Sequence, residues 1–218
     1  MMTAVDDPLV PRLRMSREGR RARLLSVGRG LFAERGYHGT STADIAREAH
    51  CSEAVLYQHF ASKQALFLAV LEEQAAGMRR RLEETVERAG DDPLGGIAHG
   101  LGQRVTEPDM PDSLKLRSLA VTMADEPEVR RTLDRIRDGF KEIVGGAVRR
   151  SQASGRVRAD VDPDHVVALL AGLSFLGAFT CATEGDRALR RLGPVAETLV
   201  QLLQPPAPSD PPAREEAP

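Results

Sequence analysis

The sequence contains no tryptophan, two tyrosines and two cysteines, and aromatic side chains make up 4% of its 218 residues. Two cysteines cannot staple a disulfide scaffold, so the fold must rest on aliphatic burial. Metal-ligand spacing of Cys and His is missing, and so is a Gly-rich loop followed by Lys and a hydroxyl residue. Ser, His and Asp are scattered without a nucleophile motif. We therefore expect no enzyme, no metal and no cofactor. Residues 1–15 carry acids and prolines where a secretion signal has a basic and then an apolar run, which points to a cytoplasmic chain. One uncharged run, His165–Thr183, has 19 residues, a borderline length for a bilayer. Its flanks are acidic at both ends and carry no Trp or Tyr anchor, so a helix buried among other helices fits better than a membrane span.

What is present is a charge asymmetry. Lys and Arg number 30 against 32 Asp and Glu, for a net of −2. Residues 1–63 hold ten bases and seven acids, a net of +3, and the remaining 155 residues carry −5. Between Arg12 and Arg35 the tally is eight bases to two acids. A basic head on an acidic body is expected where one end meets phosphate, although a solvated Arg-rich helix face would give the same numbers.

Apolar residues recur at three- and four-residue steps from Ser16 to Gln204, with no sustained period of two, so the fold class is all-α. The expected helices are Arg17–Arg35, a short one after Ser41 or Thr42, Glu53–His59, Lys63–Arg88, an indistinct one near 96–106, then 113–124, 128–154, 164–183 and a last one from Pro194 to Gln204. Leu24, Gly28, Leu31 and Phe32 form the buried stripe of the first, Ile45, Ala46 and Ala49 that of the second, and Leu56 and Phe60 point inward from the third. Segment limits follow: a flexible arm at 1–15, a head of three helices at 16–63 linked through helix 63–88, a helical body at 64–204, and a disordered tail at 205–218. The stretch 204–218 holds six of the fourteen prolines, which no packed element tolerates.

Two short helices joined by about four residues and preceded by a longer one match a helix-turn-helix, whose last helix is free to enter a major groove. The segment TSTADIAREAHCSEAVLYQHFASK at 40–63 resembles the DNA-binding signature of the TetR family of transcriptional regulators. Leu24, Leu31–Phe32, Gly36–Tyr37 and Ala65–Leu66 extend the match, and the stretch from Met123 to Leu176 is similar to the family's regulatory domain. The resemblance implies an N-terminal three-helix DNA-binding domain and a C-terminal helical domain for ligand binding and dimerisation. It implies phosphate contacts by Thr42, Tyr57, His59 and Lys63, and base edges facing Glu53, Ala54, Val55 and Gln58. Glu accepts from cytosine, Gln pairs with adenine and Ala touches a thymine methyl. Arg12, Arg14 and Arg17 would reach a neighbouring groove or phosphates.

Each assignment has a plainer alternative. Tyr57 can be a core-edge aromatic, His59 a cap on the turn, and Lys63 an ordinary first-turn lysine. Cys51 reads as a small packed thiol rather than a redox switch, because Cys181 is remote in sequence. The chain also departs from the family pattern. His50 stands where the family usually has Gly, at a position that needs positive φ, and Ala54 and Val55 replace common Gly and Thr.

For the body, the resemblance implies a four-helix dimer interface, with Ala168, Gly172, Ala178 and Ala182 allowing close approach and Leu199, Leu202 and Leu203 on the second helix. It also implies a ligand pocket among the middle helices, with Met78, Ile97, Leu101, Leu119, Met123, Phe140, Phe175 and Phe179 as apolar candidates and His99 and Thr122 as polar ones. The expected function is a homodimeric repressor released from a palindromic operator on double-stranded DNA by a small apolar ligand. The alternatives are an activator, or an architectural or cell-division protein of the same fold acting through a protein partner.

Overall fold

A computed structural model describes residues 15–104, 110–185 and 190–206. The expected arm, Arg12, Arg14 and the tail beyond Pro206 lie outside the described residues. Those described form nine helices and no strand: α1 Arg17–Arg35, α2 Thr42–Glu48, α3 Glu53–His59, α4 Lys63–Arg88, α5 Pro93–Arg104, α6 Met110–Thr122, α7 Pro127–Ala153, α8 Pro163–Glu184 and α9 Leu192–Leu202.

The first four helices begin where the sequence places a hydroxyl. Ser16, Ser41, Ser52 and Ser62 each accept a hydrogen bond from the backbone N–H three residues on, satisfying one orphan donor of the first turn. Gly36 ends α1 at φ 73, a conformation that costs Gly little. Helices α5 and α6 both start three residues before their expected limits. The segment DDPLGG reads as a chain break, yet Asp92 caps a helix there: its carboxylate accepts from Gly95 N at 3.1 Å, with Pro93 in the first turn. Similarly, α9 opens at Leu192 and carries Pro194 within its first turn, where the missing N–H has no intrahelical partner to lose.

Two apolar clusters carry the packing. One joins Leu24, Leu31 and Phe32 of α1, Ile45 and Ala46 of α2, Leu56 of α3 and Phe67 of α4 to Leu116 and Ala120 of α6 and Val129 of α7. The second gathers Leu94 and Ile97 of α5, Val144 and Val148 of α7, Val166 and Leu170 of α8, and Val200 of α9. The head therefore shares its core with α6 and α7, and α4 runs through both clusters.

Helix α8 is long and apolar enough, by length and composition, to cross a membrane. It is not covered all round within the chain. Val166, Val167, Leu170 and Leu173 face the second cluster, while Leu169, Phe175, Leu176 and Phe179 point outward. Phe175 and Phe179, expected in the ligand pocket, are 61% and 67% exposed. On α9, Leu202 is 71% exposed, whereas Leu199 and Leu203, expected at the dimer seam, pack against the second cluster. Ala168 and Gly172 are exposed on the outward face, and the side chains of Ala178 and Ala182 lie outside the described set.

Candidate nucleic-acid interface

The turn that presents α3 is held from several sides. His50, between α2 and α3, has φ 54 and is the one non-Gly residue of positive φ among those described. Ala49 N donates to Ile45 O at 2.8 Å and Cys51 N to Ala46 O at 2.9 Å, closing the end of α2. Arg23 and Arg20 of α1 donate to the carbonyls of Glu48 and Ala49, each at 3.4 Å, placing cations on the C-terminal end of α2 where its dipole favours them. Ahead of α2, the buried hydroxyl of Thr40 bonds Leu31 O at 3.1 Å and Gly36 O at 2.8 Å.

Lys63 closes the same loop. Its ammonium donates to Tyr37 O and Thr40 O, both at 2.9 Å, and lies 4.3 Å from the centre of the Tyr37 ring. Two of its three donors are therefore engaged by the protein, so Lys63 fixes the approach to α2 as well as capping the head surface. Neither Thr40 nor the Arg20–Arg23 brace stood out in the sequence. Their only signal is an i, i+3 pair of arginines on the helix preceding the motif.

Outward from α3, four side chains share one surface. Glu53, Ala54, Tyr57 and Gln58 are exposed, with Tyr57 at 49%. Val55 and His59 are half-buried. Thr42 Oγ1 donates to Glu53 Oε2 at 2.7 Å and lies 3.3 Å from the Tyr57 hydroxyl, so a residue of α2 ties together two of α3. Leu56 and Phe60 are buried on the opposite side, as the spacing requires.

The surroundings are basic. Arg21 lies 5.0 Å from the centre of the Phe60 ring. Partial burial pushes His59 below its ordinary value near 6.5, and the charges of Arg17, Arg21 and Arg20 push it further the same way. The imidazole is thus neutral at neutral pH. Asp44 is held low by the Ser41 hydroxyl, then by Arg47, so the first turn of α2 keeps a carboxylate that caps its own helix.

In the body, a cavity of about 80 Å³ lies between α4 and α8, with Leu71, Met78, Ile97, Leu101, Phe140 and Leu170 among its lining residues. Four of these, Met78, Ile97, Leu101 and Phe140, match the expected pocket. Of the others expected there, Phe175 lines an adjoining cavity and the rest lie elsewhere. His99 is exposed and faces Glu197 at 3.7 Å, Thr122 is exposed and bonds Leu119 O, and Leu119 and Met123 pack against the head cluster. The cavity's polar lining was not foreseen: Gln74, Arg81, Thr85, Ser113 and Arg117. Among the described residues no cluster of His, Cys, Asp and Glu could hold a metal ion.

A short helix presented outward from a three-helix, basic head on an all-helical body defines a helix-turn-helix DNA-binding regulator. The sequence profile described as "Bacterial regulatory proteins, tetR family" matches residues 24–70, and "Transcriptional regulator SbtR-like, C-terminal domain" matches 112–195. The transcriptional repressor AcnR of Corynebacterium efficiens is 30% identical over 142 residues, covering 65% of this chain and 70% of that protein. The transcriptional activator FasR of Mycolicibacterium smegmatis is 41% identical over 78 residues, 34% of this chain and 36% of its own. In structure, FadR from Bacillus subtilis in complex with stearoyl-CoA superposes with a TM-score of 0.64 at 18% identity, covering 82% of this chain and 96% of FadR. The chain belongs to the TetR family of bacterial transcriptional regulators.

Proposed function

We propose that this regulator is a homodimeric repressor that reads a palindromic operator with α3 and releases it when a small molecule occupies the cavity between α4 and α8. The observation that supports this most strongly is the Thr42–Glu53–Tyr57 cluster. It leaves Glu53, Ala54 and Gln58 facing outward beside a basic flank, the arrangement that base readout needs. Thr42, Tyr57, His59 and the remaining donor of Lys63 are the proposed phosphate contacts, with Val55 at the edge of the base-facing set.

The second copy is proposed to pack on the outward face of α8 and α9. Leu169, Phe175, Leu176 and Phe179, with Val195 and Leu202, form a large exposed apolar surface of the kind that marks an interface. A two-fold dimer then presents two α3 helices to successive half-sites about 34 Å apart. AcnR is a repressor, and FadR, which holds an acyl-CoA, shows that this fold accommodates a small molecule. The resemblance to FasR over part of the chain favours activation as the second reading.

Helix α6 offers a route between the two sites. Its Ser113 and Arg117 line the cavity, while its Leu116 and Ala120 belong to the core shared with α1, α2 and α3. A ligand that shifts α6 therefore moves the head. The test is fluorescence anisotropy on DNA from the gene's own upstream region. We expect binding to a palindromic fragment about a thousandfold tighter than to a scrambled one, falling steeply with salt. Equal affinity for both would overturn the reading.

A further inference from the structure

Arg81 stands apart from the chain's other arginines. Arg79, Arg135, Arg137, Arg156, Arg158 and Arg191 each face a carboxylate, within 3.6 Å or less, on the exposed surface. Arg81 lines the cavity, is only partly exposed, and its side chain makes no hydrogen bond or ion pair with any described residue. Its Nε–H is fully buried without an acceptor. The guanidinium folds back along α4 to within 3.7 Å of where a Cβ on Gly77 would sit, so the glycine leaves it room. A buried guanidinium N–H without an acceptor is disfavoured by desolvation and persists best where an anion completes it.

The rest of the lining indicates what carries that anion. Gln74 is already committed, accepting from the Ser113 hydroxyl at 2.6 Å, and Arg117 lies over the Met78 sulfur at 3.8 Å. A second cavity, of about 270 Å³, is lined by Leu114, Val121, Leu133 and Phe175 and by the mutually paired Asp134 and Arg137, and shares Met78, Arg117, Ile136 and Phe140 with the first. Met78, unbranched and adaptable, stands between the two and can turn aside. A polar inner end thus opens through a movable apolar wall into a larger apolar lobe.

We propose that this pair of cavities binds an aliphatic monocarboxylate, its head on Arg81 and its body running past Met78 and Phe140 into the outer lobe. A rotation of the Arg81 side chain off Gly77 turns the buried Nε–H and one Nη–H, a single edge of the guanidinium fork, onto the two carboxylate oxygens. The inner lobe is too small for a nucleotide-bearing acyl ester. The ligand class sharpens the expectation of an apolar effector by adding a charged head. The inference rests on reading this cavity as the effector site, and the test separates the two.

Isothermal titration calorimetry of the full chain with hexanoate, octanoate, decanoate and dodecanoate, each against the matching alcohol, measures the head group's contribution. At least one acid should bind, and its alcohol about tenfold to a hundredfold more weakly, the weight of a charge-assisted pair. Arg81→Gln should erase that difference, and Arg81→Lys should restore part of it. Because Arg81 has no side-chain partner among the described residues, the ligand-free Arg81→Gln protein should melt no lower than the parent. No binding by any acid, equal binding of acid and alcohol, or an acid preference that survives Arg81→Gln would each overturn the assignment. Operator release is followed in parallel by anisotropy. An acid that binds through Arg81 yet leaves DNA bound supports the ligand class and contradicts the effector reading.

Discussion

His50 occupies the left-handed region in the turn before the recognition helix, at φ 54, where most side chains crowd the following carbonyl. Histidine is among the residues that tolerate it, and the surrounding hydrogen bonds of Ala49 and Cys51 hold it there. Replacing His50 with Val should destabilise the fold by about 1–2 kcal/mol, while His50→Gly should be neutral or slightly stabilising, as read by urea unfolding. Nearby, His59 is held neutral by partial burial first and by Arg17, Arg21 and Arg20 after it. A base whose value is lowered on folding contributes stability that is complete above its ordinary value near 6.5 and is lost as the pH falls below it. DNA phosphates reverse the sign by favouring the imidazolium. Operator affinity should therefore rise between pH 7 and pH 5.5, and His59→Gln should flatten both profiles in melting and anisotropy titrations (on the order of the ordinary imidazole range).

At the scale of the helices, periodicity and capping made the head legible almost to the residue. Ser16, Ser41, Ser52 and Ser62 mark four starts, and Leu56 with Phe60 separates the inner from the outer side of α3. In the body the same tools fail for a physical reason. Helix α8 is apolar on every side, so its pattern does not say which face meets the core. Phe175 and Phe179 both read as pocket residues and both point outward, Phe175 from the wall of the larger cavity. DDPLGG reads as a break on its proline and two glycines, yet Pro93 falls in the first turn of α5 under an Asp92 cap. Arg81 gave no signal at all. An arginine on a long amphipathic helix reads as solvated, and only the packing of α4 against its neighbours shows that it lines a cavity without a partner. The outward face of α8 makes its own prediction. If the proposed homodimer packs on this face, Phe179→Glu should yield a monomer in sedimentation velocity while leaving helicity unchanged, and operator affinity should fall by more than a hundredfold, since each head then binds one half-site alone.

For the molecule as a whole, the net charge of −2 conceals two surfaces, a head of +3 and a body of −5. The head shares its core with the body. Leu116, Ala120 and Val129 complete its core from α6 and α7, so a limit drawn at residue 63 follows the DNA-binding motif but not the packing. That shared core is the proposed route from a cavity lined by Ser113 and Arg117 of α6 to an α3 surface formed by Glu53, Tyr57 and Gln58. The central claim is that this surface reads base edges. Affinities of the parent protein and of Gln58→Ala for every single-base variant of the operator test it most directly. The account predicts that Gln58→Ala removes discrimination at one base pair in each half-site, by about 1–3 kcal/mol, symmetrically about the dyad and with the salt dependence unchanged. A uniform loss across all positions, or none at any, would contradict it.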